Sequence, residues 1–492
     1  MSDKNTNRNV SVCASHEVKI DNFSRTTLSV DSKFLEYMSN NWDAVPSEPA
    51  TVHEVAPYAA ARRAKVSRKF AAKRLVIAAG IMKQRANDTF YMFRPHTSFT
   101  HLTGWGANAA PGAVLVFDPV ASCAISEDTA TTADDVAGAA AQCDSMQHTV
   151  TLYFAESATR YSKEFFDNSE VGEFWIGAKP SLKQVSTALG LNCKPITEFQ
   201  STADDVTLDN AALAEFLDEL RLVKDDYEIA QMQLAVNATG RGFDEVINNL
   251  DSAVTAERGE RVVEVMFHKH ARTAGNWEGY DTIAAAGAHA CTLHWITNDG
   301  PVKEGELLLL DAGVEVESLY TADITRTVPI SGRFNEIQKK VYETVLEAAD
   351  AAHKVARPGI KFHEVHDAAM AVIAEKVKQW GFLPDNPDPE LPYHRRYMVH
   401  GTCHHLGIDV HDCAQARREM YYNAILEPGM VFTIEPGLYF HPGDLTVPEE
   451  FWGIGVRIED DIVVTEDGSR NLSAHIPRTV AEVEAWVQSG RK

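Results

Sequence analysis

The chain has 492 residues, too many for one ordinary hydrophobic core, so two or three domains are expected. Hydrophobic residues make up 45% and charged residues 24%, the balance of a globular protein in water. With 46 basic and 70 acidic side chains the formal net charge is −24, which repels phosphate backbones and argues against a nucleic-acid partner. The seven cysteines (13, 123, 143, 193, 291, 403 and 413) form no CxxC pair. Reduced thiols in a cytoplasmic protein fit that pattern better than a disulfide framework or a zinc–thiolate site. The opening Met-Ser-Asp-Lys-Asn-Thr-Asn-Arg-Asn has no apolar run behind its charges, so no secretory leader is expected. No apolar run of about 18 residues marks a membrane span.

In chain order, residues 1–50 are polar and weakly periodic and read as a flexible lead or a strap over a neighbour. From Tyr58 the pattern is helical and basic, with Arg62, Arg63, Lys65, Arg68, Lys69, Lys73 and Arg74. It reads as a solvated helix face, with Ala61, Ala64, Phe70 and Ala71 available for packing. Residues 75–80, 113–117 and 150–154 read as buried strands, and the Ala/Asp/Ser/Thr-rich stretch 120–147 as a surface insertion. An α/β domain over 51–215 is expected from these signals, with a boundary near 210–220. Residues 211–247 carry one long helical pattern, with Lys224 and Glu228 as an i,i+4 pair. Helical stretches at 226–248, 259–272, 334–356 and 363–380 then alternate with strand pairs up to Val464, defining a second domain over 216–480.

Five side chains in that second domain stand where strands would deliver them together. Asp311 ends the apolar run Leu307-Leu308-Leu309-Leu310, as a buried strand presenting a carboxylate at its end. Asp323, Thr325 and Thr327 alternate with Ile324, Arg326 and Val328, so the aspartate shares a face with two threonines. A hairpin centred near Glu317 would set Asp311 and Asp323 opposite each other, about 5 Å apart at Cβ. His404 lies among His400, His405 and His411, and Gly401 and Thr402 argue for a strand and loop rather than the paired-histidine helix of a zinc protease. Glu435 shares a face with Val431 and Thr433, Glu459 shares one with Arg457, and Pro436 ends its ladder. Glutamates on half-buried strands call for partners. Four carboxylates match the charge of two divalent cations, and such a pair activates water for hydrolysis. Oxygen donors with one imidazole favour Mn²⁺, Co²⁺ or Fe²⁺.

Residues from about 220 to 475 resemble the pita-bread metallopeptidases, the family of methionine aminopeptidase, prolidase and aminopeptidase P. The motifs that carry this are 220–232, 400–412, 433–437 and 455–461, in the family's order. In the first half, 85–88 (Arg-Ala-Asn-Asp) and 93–104 resemble the N-terminal domain of bacterial aminopeptidase P, which methionine aminopeptidases lack. The resemblance implies an α/β (α+β) protein, with a C-terminal pita-bread catalytic domain and a smaller creatinase-like N-terminal domain. It implies that Asp311, Asp323, His404, Glu435 and Glu459 hold two divalent metal ions, with Asp323 and Glu459 bridging. Mn²⁺ is the leading candidate, with Co²⁺, Fe²⁺ or Zn²⁺ as alternatives.

The same resemblance places His294, His400 and His411 on the substrate side. Tyr439 and Arg457 would stand behind the ligands, with Asp88 reaching them from the N-terminal domain. Glu435 would also serve as proton acceptor. The implied reaction is removal of the N-terminal residue from peptides with proline in second position, by a hydroxide held between the metals. Prolidase action on Xaa-Pro dipeptides is the alternative, and a non-catalytic peptide-binding module the remote one; the intact ligand set argues against the latter and against creatinase. A homodimer or homotetramer is implied as well. One departure stands out: the Asp311–Asp323 separation is one residue longer than the commonest family spacing, which should lengthen the hairpin turn or add a bulge.

Overall fold

The computed structural model describes residues 32–43, 49–87, 89–120 and 147–491. Most of the 1–50 lead, nearly all of the 120–147 stretch, and Asp88 therefore lie outside the described residues; within the lead, Ser32–Ser39 forms a helix. The chain divides into two compact units, Met1–Leu213 and Ala214–Lys492.

In the first unit the three expected strands form Leu75–Ala78, Val114–Pro119 and His148–Phe154. With Asn192–Pro195 they make one four-stranded sheet in that spatial order, antiparallel except for the last pair. The basic helix runs Val55–Lys69, but its arginines are not all on a solvated face. Arg62 and Arg63 are only 4% and 3% exposed. Arg62 donates to the His101 carbonyl at 3.0 Å and Arg63 to the Leu102 carbonyl at 2.8 Å. Those carbonyls belong to the last turn of helix Thr97–Thr103, where the helix itself offers few donors. Burial, reinforced by Arg62, lowers the Arg63 pKa to about 10. The sequence shows the charge of these side chains but not the helix end they cap.

Helix Ala211–Arg221 crosses the boundary at Leu213 and Asp226–Asn248 follows it, so the single helix expected over 211–247 is interrupted. Asp225 explains the break: its side chain accepts from Glu228 N at 3.1 Å while Glu228 accepts from Asp225 N at 2.9 Å, a reciprocal N-terminal cap. Lys224 lies in the break and pairs with Asp412, Nζ to Oδ2 at 3.0 Å, with Glu228 adding a weaker attraction. Arg221 reaches the other oxygen of Asp412, also at 3.0 Å. Gly407 sits against this triad; a Cβ there would meet Asp412 Oδ2 and Lys224 Nζ. The remaining expected helices appear as Asp226–Asn248, Gly259–Ala274, Glu336–Val355 and Phe362–Gln379.

Three backbone features position the candidate site. Strands Leu307–Ala312 and Ile324–Pro329 pair antiparallel with Asp311 opposite Thr325. The hairpin is therefore centred on Ser318, not Glu317, and Asp311 and Asp323 are diagonal neighbours instead of facing each other. Its turn closes through Leu319 N to Val316 O at 2.7 Å and Val316 N to Tyr320 O at 3.0 Å, with Leu319 in the left-handed region at φ 70°. Secondly, Val431–Ile434 pairs with Asp460–Val464, and Gly437–Phe440 with Ile454–Arg457. Ile434 faces Asp460 and Gly437 faces Arg457, so one register runs through the gap at Pro436 and sets Glu435 opposite Glu459. Thirdly, residues 402–406 run extended beside Val431–Ile434, through Thr433 N to His404 O at 2.9 Å and Glu435 N to Thr402 O at 2.8 Å. The strand-and-loop reading of the histidine segment is what the backbone shows.

Candidate metal centre

The three features meet at a cavity of about 490 Å³ lined by Tyr280, His294, Asp311, Asp323, His400, His404, His411, Glu435, Arg457 and Glu459 among others. Ligand atoms of Asp323, His404 and Glu459 lie within 4.8 Å of one another. His404 Nε2 is 3.2 Å from Asp323 Oδ2, 3.5 Å from Glu435 Oε1 and 3.9 Å from Glu459 Oε1. Asp311 joins the group through Tyr280, whose hydroxyl is 2.6 Å from Oδ1 of both aspartates.

The charges in this cluster are poorly balanced by the protein alone. Burial, together with Asp323, Glu435 and Asp311, holds Glu459 well above the usual carboxylate range. Burial raises Glu435 to about 7, with Asp323 and Asp311 adding to the rise against the pull of His404 and Arg457. Burial opposes a charge on His404, but Asp323 and Glu435 outweigh it and raise the imidazole to about 9. Four carboxyl groups thus compete for one imidazole and one guanidinium. Divalent cations satisfy such a donor set by replacing protons, so the residues fit a metal pair on their own chemistry.

Behind these carboxyl groups and His404 runs a connected set of hydrogen bonds. Arg457 donates to Asp311 Oδ2, to Thr325 Oγ1 at 3.1 Å and to the Tyr439 hydroxyl at 3.1 Å. Thr325 donates to Glu459 Oε2 at 2.7 Å. Tyr439 and His400 Nε2 are 2.8 Å apart, and His400 Nδ1 bonds the Gly401 carbonyl at 2.7 Å. That leaves the Tyr439 hydroxyl as donor and His400 Nε2 as acceptor. Asp461 Oδ2 accepts from Asp323 N at 3.2 Å. Arg326, 1% exposed, holds the Glu459 carbonyl at 2.6 Å and Asp460 at 2.8 Å. His411 packs edge-on against His404, ring centroids 4.5 Å apart.

The structure gathers the sequence-predicted residues of the second unit around this cavity, Tyr439 through its bonds to His400 and Arg457. Tyr280, Asp461 and the positioning role of Thr325 were not legible. Tyr280 stands in Glu278-Gly-Tyr-Asp, with no periodicity or motif to mark it. Its hydroxyl bridges two carboxylates, so Tyr280→Phe should weaken Mn²⁺ binding by about 10- to 100-fold, the usual cost of losing such a supporting bond. Metal titration of the variant checks this; unchanged affinity would remove Tyr280 from the ligand framework.

A cavity ringed by four carboxylates at or beside strand ends, four imidazoles and a buried arginine defines a metal-dependent hydrolase on a pita-bread scaffold. The profile of metallopeptidase family M24 matches residues 230–466, and that of the aminopeptidase P N-terminal domain matches residues 59–213. Xaa-Pro aminopeptidase 1 of Streptomyces coelicolor is 43% identical over 488 residues, covering 93% of this chain and 92% of that protein. Among solved structures, Pseudomonas aeruginosa aminopeptidase PepP is similar at TM-score 0.73 and 27% identity, covering 89% of this chain and 99% of that one. The low-pH form of Escherichia coli aminopeptidase P is similar at TM-score 0.72 and 26% identity, covering 90% and 99%. The chain belongs to metallopeptidase family M24, in its Xaa-Pro aminopeptidase branch.

Proposed function

We propose that this protein removes the N-terminal residue from peptides whose second residue is proline, with Asp311, Asp323, His404, Glu435 and Glu459 holding two divalent cations. The observation that carries the site reading is the register that sets Glu435 opposite Glu459, with Asp323 and His404 within reach of both. When bound, the metal pair lowers the pKa of water and polarises the scissile carbonyl. Mn²⁺ suits the oxygen-rich set best. Asp323 and Glu459 would each serve both cations in this reading.

The chain's own groups do the rest. Glu435 takes a proton from the attacking water and delivers it to the proline nitrogen as the C–N bond breaks. His294 and His411 line the cavity, and among the described residues their rings make no hydrogen bonds, so an imidazole N–H is available to the developing oxyanion. His400 lies within 3.5 Å of Glu435 Oε2, and Tyr439 and the Gly401 carbonyl together fix its imidazole. Proline lacks an N–H and has a fixed φ, so a site shaped to its ring discriminates against ordinary peptides.

Free thiols at Cys193, Cys291, Cys403 and Cys413 support a cytoplasmic setting. No helix among the described residues is long and apolar enough to cross a membrane. We read the working form as a homodimer or homotetramer. The functional test is cleavage by Mn²⁺-reconstituted protein. Xaa-Pro-Xaa should yield the free first residue and Pro-Xaa; turnover of Xaa-Pro dipeptides alone would make the protein a prolidase.

A further inference from the structure

A second cavity, about 220 Å³, shares His400, Gly401 and Cys403 with the first and is otherwise lined by Phe362, His363, His366, Arg395, Thr402 and Tyr422. Nothing in the proposed chemistry uses it. Its donors have an unusual character for a chain of net charge −24. Arg395 makes one hydrogen bond, Nη2 to the Val399 carbonyl at 3.3 Å, and no ion pair among the described residues. His366 accepts the Thr402 N–H at Nδ1, at 3.1 Å, which leaves its proton on Nε2. Burial, together with the positive field of Arg395, His394 and His363, outweighs Asp367 and keeps that ring below its ordinary pKa. His363 donates toward Asp367 Oδ2 at 2.9 Å and stacks on Tyr422, centroids 5.5 Å apart. The cavity therefore offers one uncompensated guanidinium, one neutral N–H donor and two aromatic walls.

Gly401 lines both cavities. This glycine is not in the left-handed region, and a Cβ on it would meet only the Cys403 carbonyl oxygen, 3.9 Å away. Neither backbone conformation nor packing requires a glycine there. The two cavities thus adjoin at a residue without a side chain.

We propose that the second cavity is a subsite for a carboxylate on the part of the peptide that follows proline, with Arg395 as its cationic partner and His366 Nε2 as a second donor. This rests on the aminopeptidase reading above and extends it to the substrate class: short peptides whose residue after proline carries a carboxylate. Either the C-terminal carboxylate of a tripeptide or an acidic side chain supplies the same chemistry.

The test compares Ala-Pro-Ala, Ala-Pro-Ala-amide and Ala-Pro-Glu-amide on the Mn²⁺-loaded wild type, Arg395→Gln and Arg395→Lys. Wild type should show KM for the free acid lower than for the Ala amide by about tenfold, the size of one charge-assisted hydrogen bond in a partly open site. Arg395→Gln should abolish that difference with kcat unchanged, and Arg395→Lys should restore much of it. A preference for the Glu amide over the Ala amide identifies the side-chain source; its absence, with the acid still favoured, identifies the C-terminus. Equal KM for acid and amides in wild type, or an Arg395→Gln effect of equal size on all three, overturns the subsite alone. Failure to cleave any of them overturns the aminopeptidase reading and the subsite together.

Discussion

Glu435→Ala should lower kcat/KM on an Xaa-Pro-Xaa peptide by at least about 10³-fold, because in the proposed mechanism it removes the proton acceptor and one metal ligand in a single change; loss of the general base alone accounts for about 10²- to 10⁴-fold. The carboxyl lies 3.5 Å from His404 and 3.5 Å from His400, at the break in a strand pair whose register sets it opposite Glu459. Two readouts separate its roles. Metal content should fall in the alanine variant, whereas Glu435→Gln keeps a ligating oxygen and should retain more metal while losing turnover. Steady-state kinetics alongside metal analysis checks both. Full activity in Glu435→Ala would remove this residue from the chemistry.

Asp412→Ala destabilises the second unit by about 3–5 kcal/mol, the cost of breaking a buried ion pair by removing one partner. Lys224 has no side-chain exposure, and Arg221 is 3% exposed; both point at Asp412, which is itself buried. Removing the carboxylate strands the ammonium, whose other hydrogen bond is to the Arg221 carbonyl at 2.6 Å. Urea unfolding of variant and wild type measures the loss, and Asp412→Asn should recover part of it. The pH dependence has a definite sign. Burial alone would raise the Asp412 pKa, but Lys224 and Arg221 outweigh it and hold the carboxyl well below the usual range. Its contribution is therefore complete above the unfolded value of about 3.9 and lost as pH falls below it. The gap between wild type and Asp412→Ala should be flat from about pH 5 to 8 and narrow in more acidic solution. A flat gap down to pH 3 would contradict the ion-pair account. Asp412 follows His411, so this triad also fixes the loop that carries a cavity-lining histidine.

The parts of the site that were legible in the sequence are those governed by local period. The alternation of Val431, Thr433 and Glu435 placed the glutamate on a buried face, and the leucine run before Asp311 placed it at a strand end. What was not legible is register. Asp311 and Asp323 were expected opposite each other, but the turn passes through Leu319 at φ 70°, without the glycine or asparagine that usually marks such a position, and the pairing shifts accordingly. The partnership of Glu435 with Glu459 depends on two strand pairs sharing one register across Pro436, a non-local property. Long-range charge pairing was equally hidden. Lys224 has a glutamate four residues on, yet bonds an aspartate 188 residues away. Arg62 and Arg63 looked like solvent-facing charge and instead serve carbonyls 39 residues on. Tyr280 carries no local signal at all; only the meeting of two aspartates at its hydroxyl marks it.

The central claim is that five side chains of this chain hold two cations. The most direct measurement is metal content by mass spectrometry after Mn²⁺ reconstitution and gel filtration, on wild type and on Asp323→Ala, with activity on an Xaa-Pro-Xaa peptide read in parallel. The account predicts about two Mn²⁺ per wild-type chain, fewer than about one in Asp323→Ala because a bridging ligand serves both ions, and activity that disappears with the metal. Two tightly held ions in Asp323→Ala, or full activity in metal-stripped wild type, would contradict it.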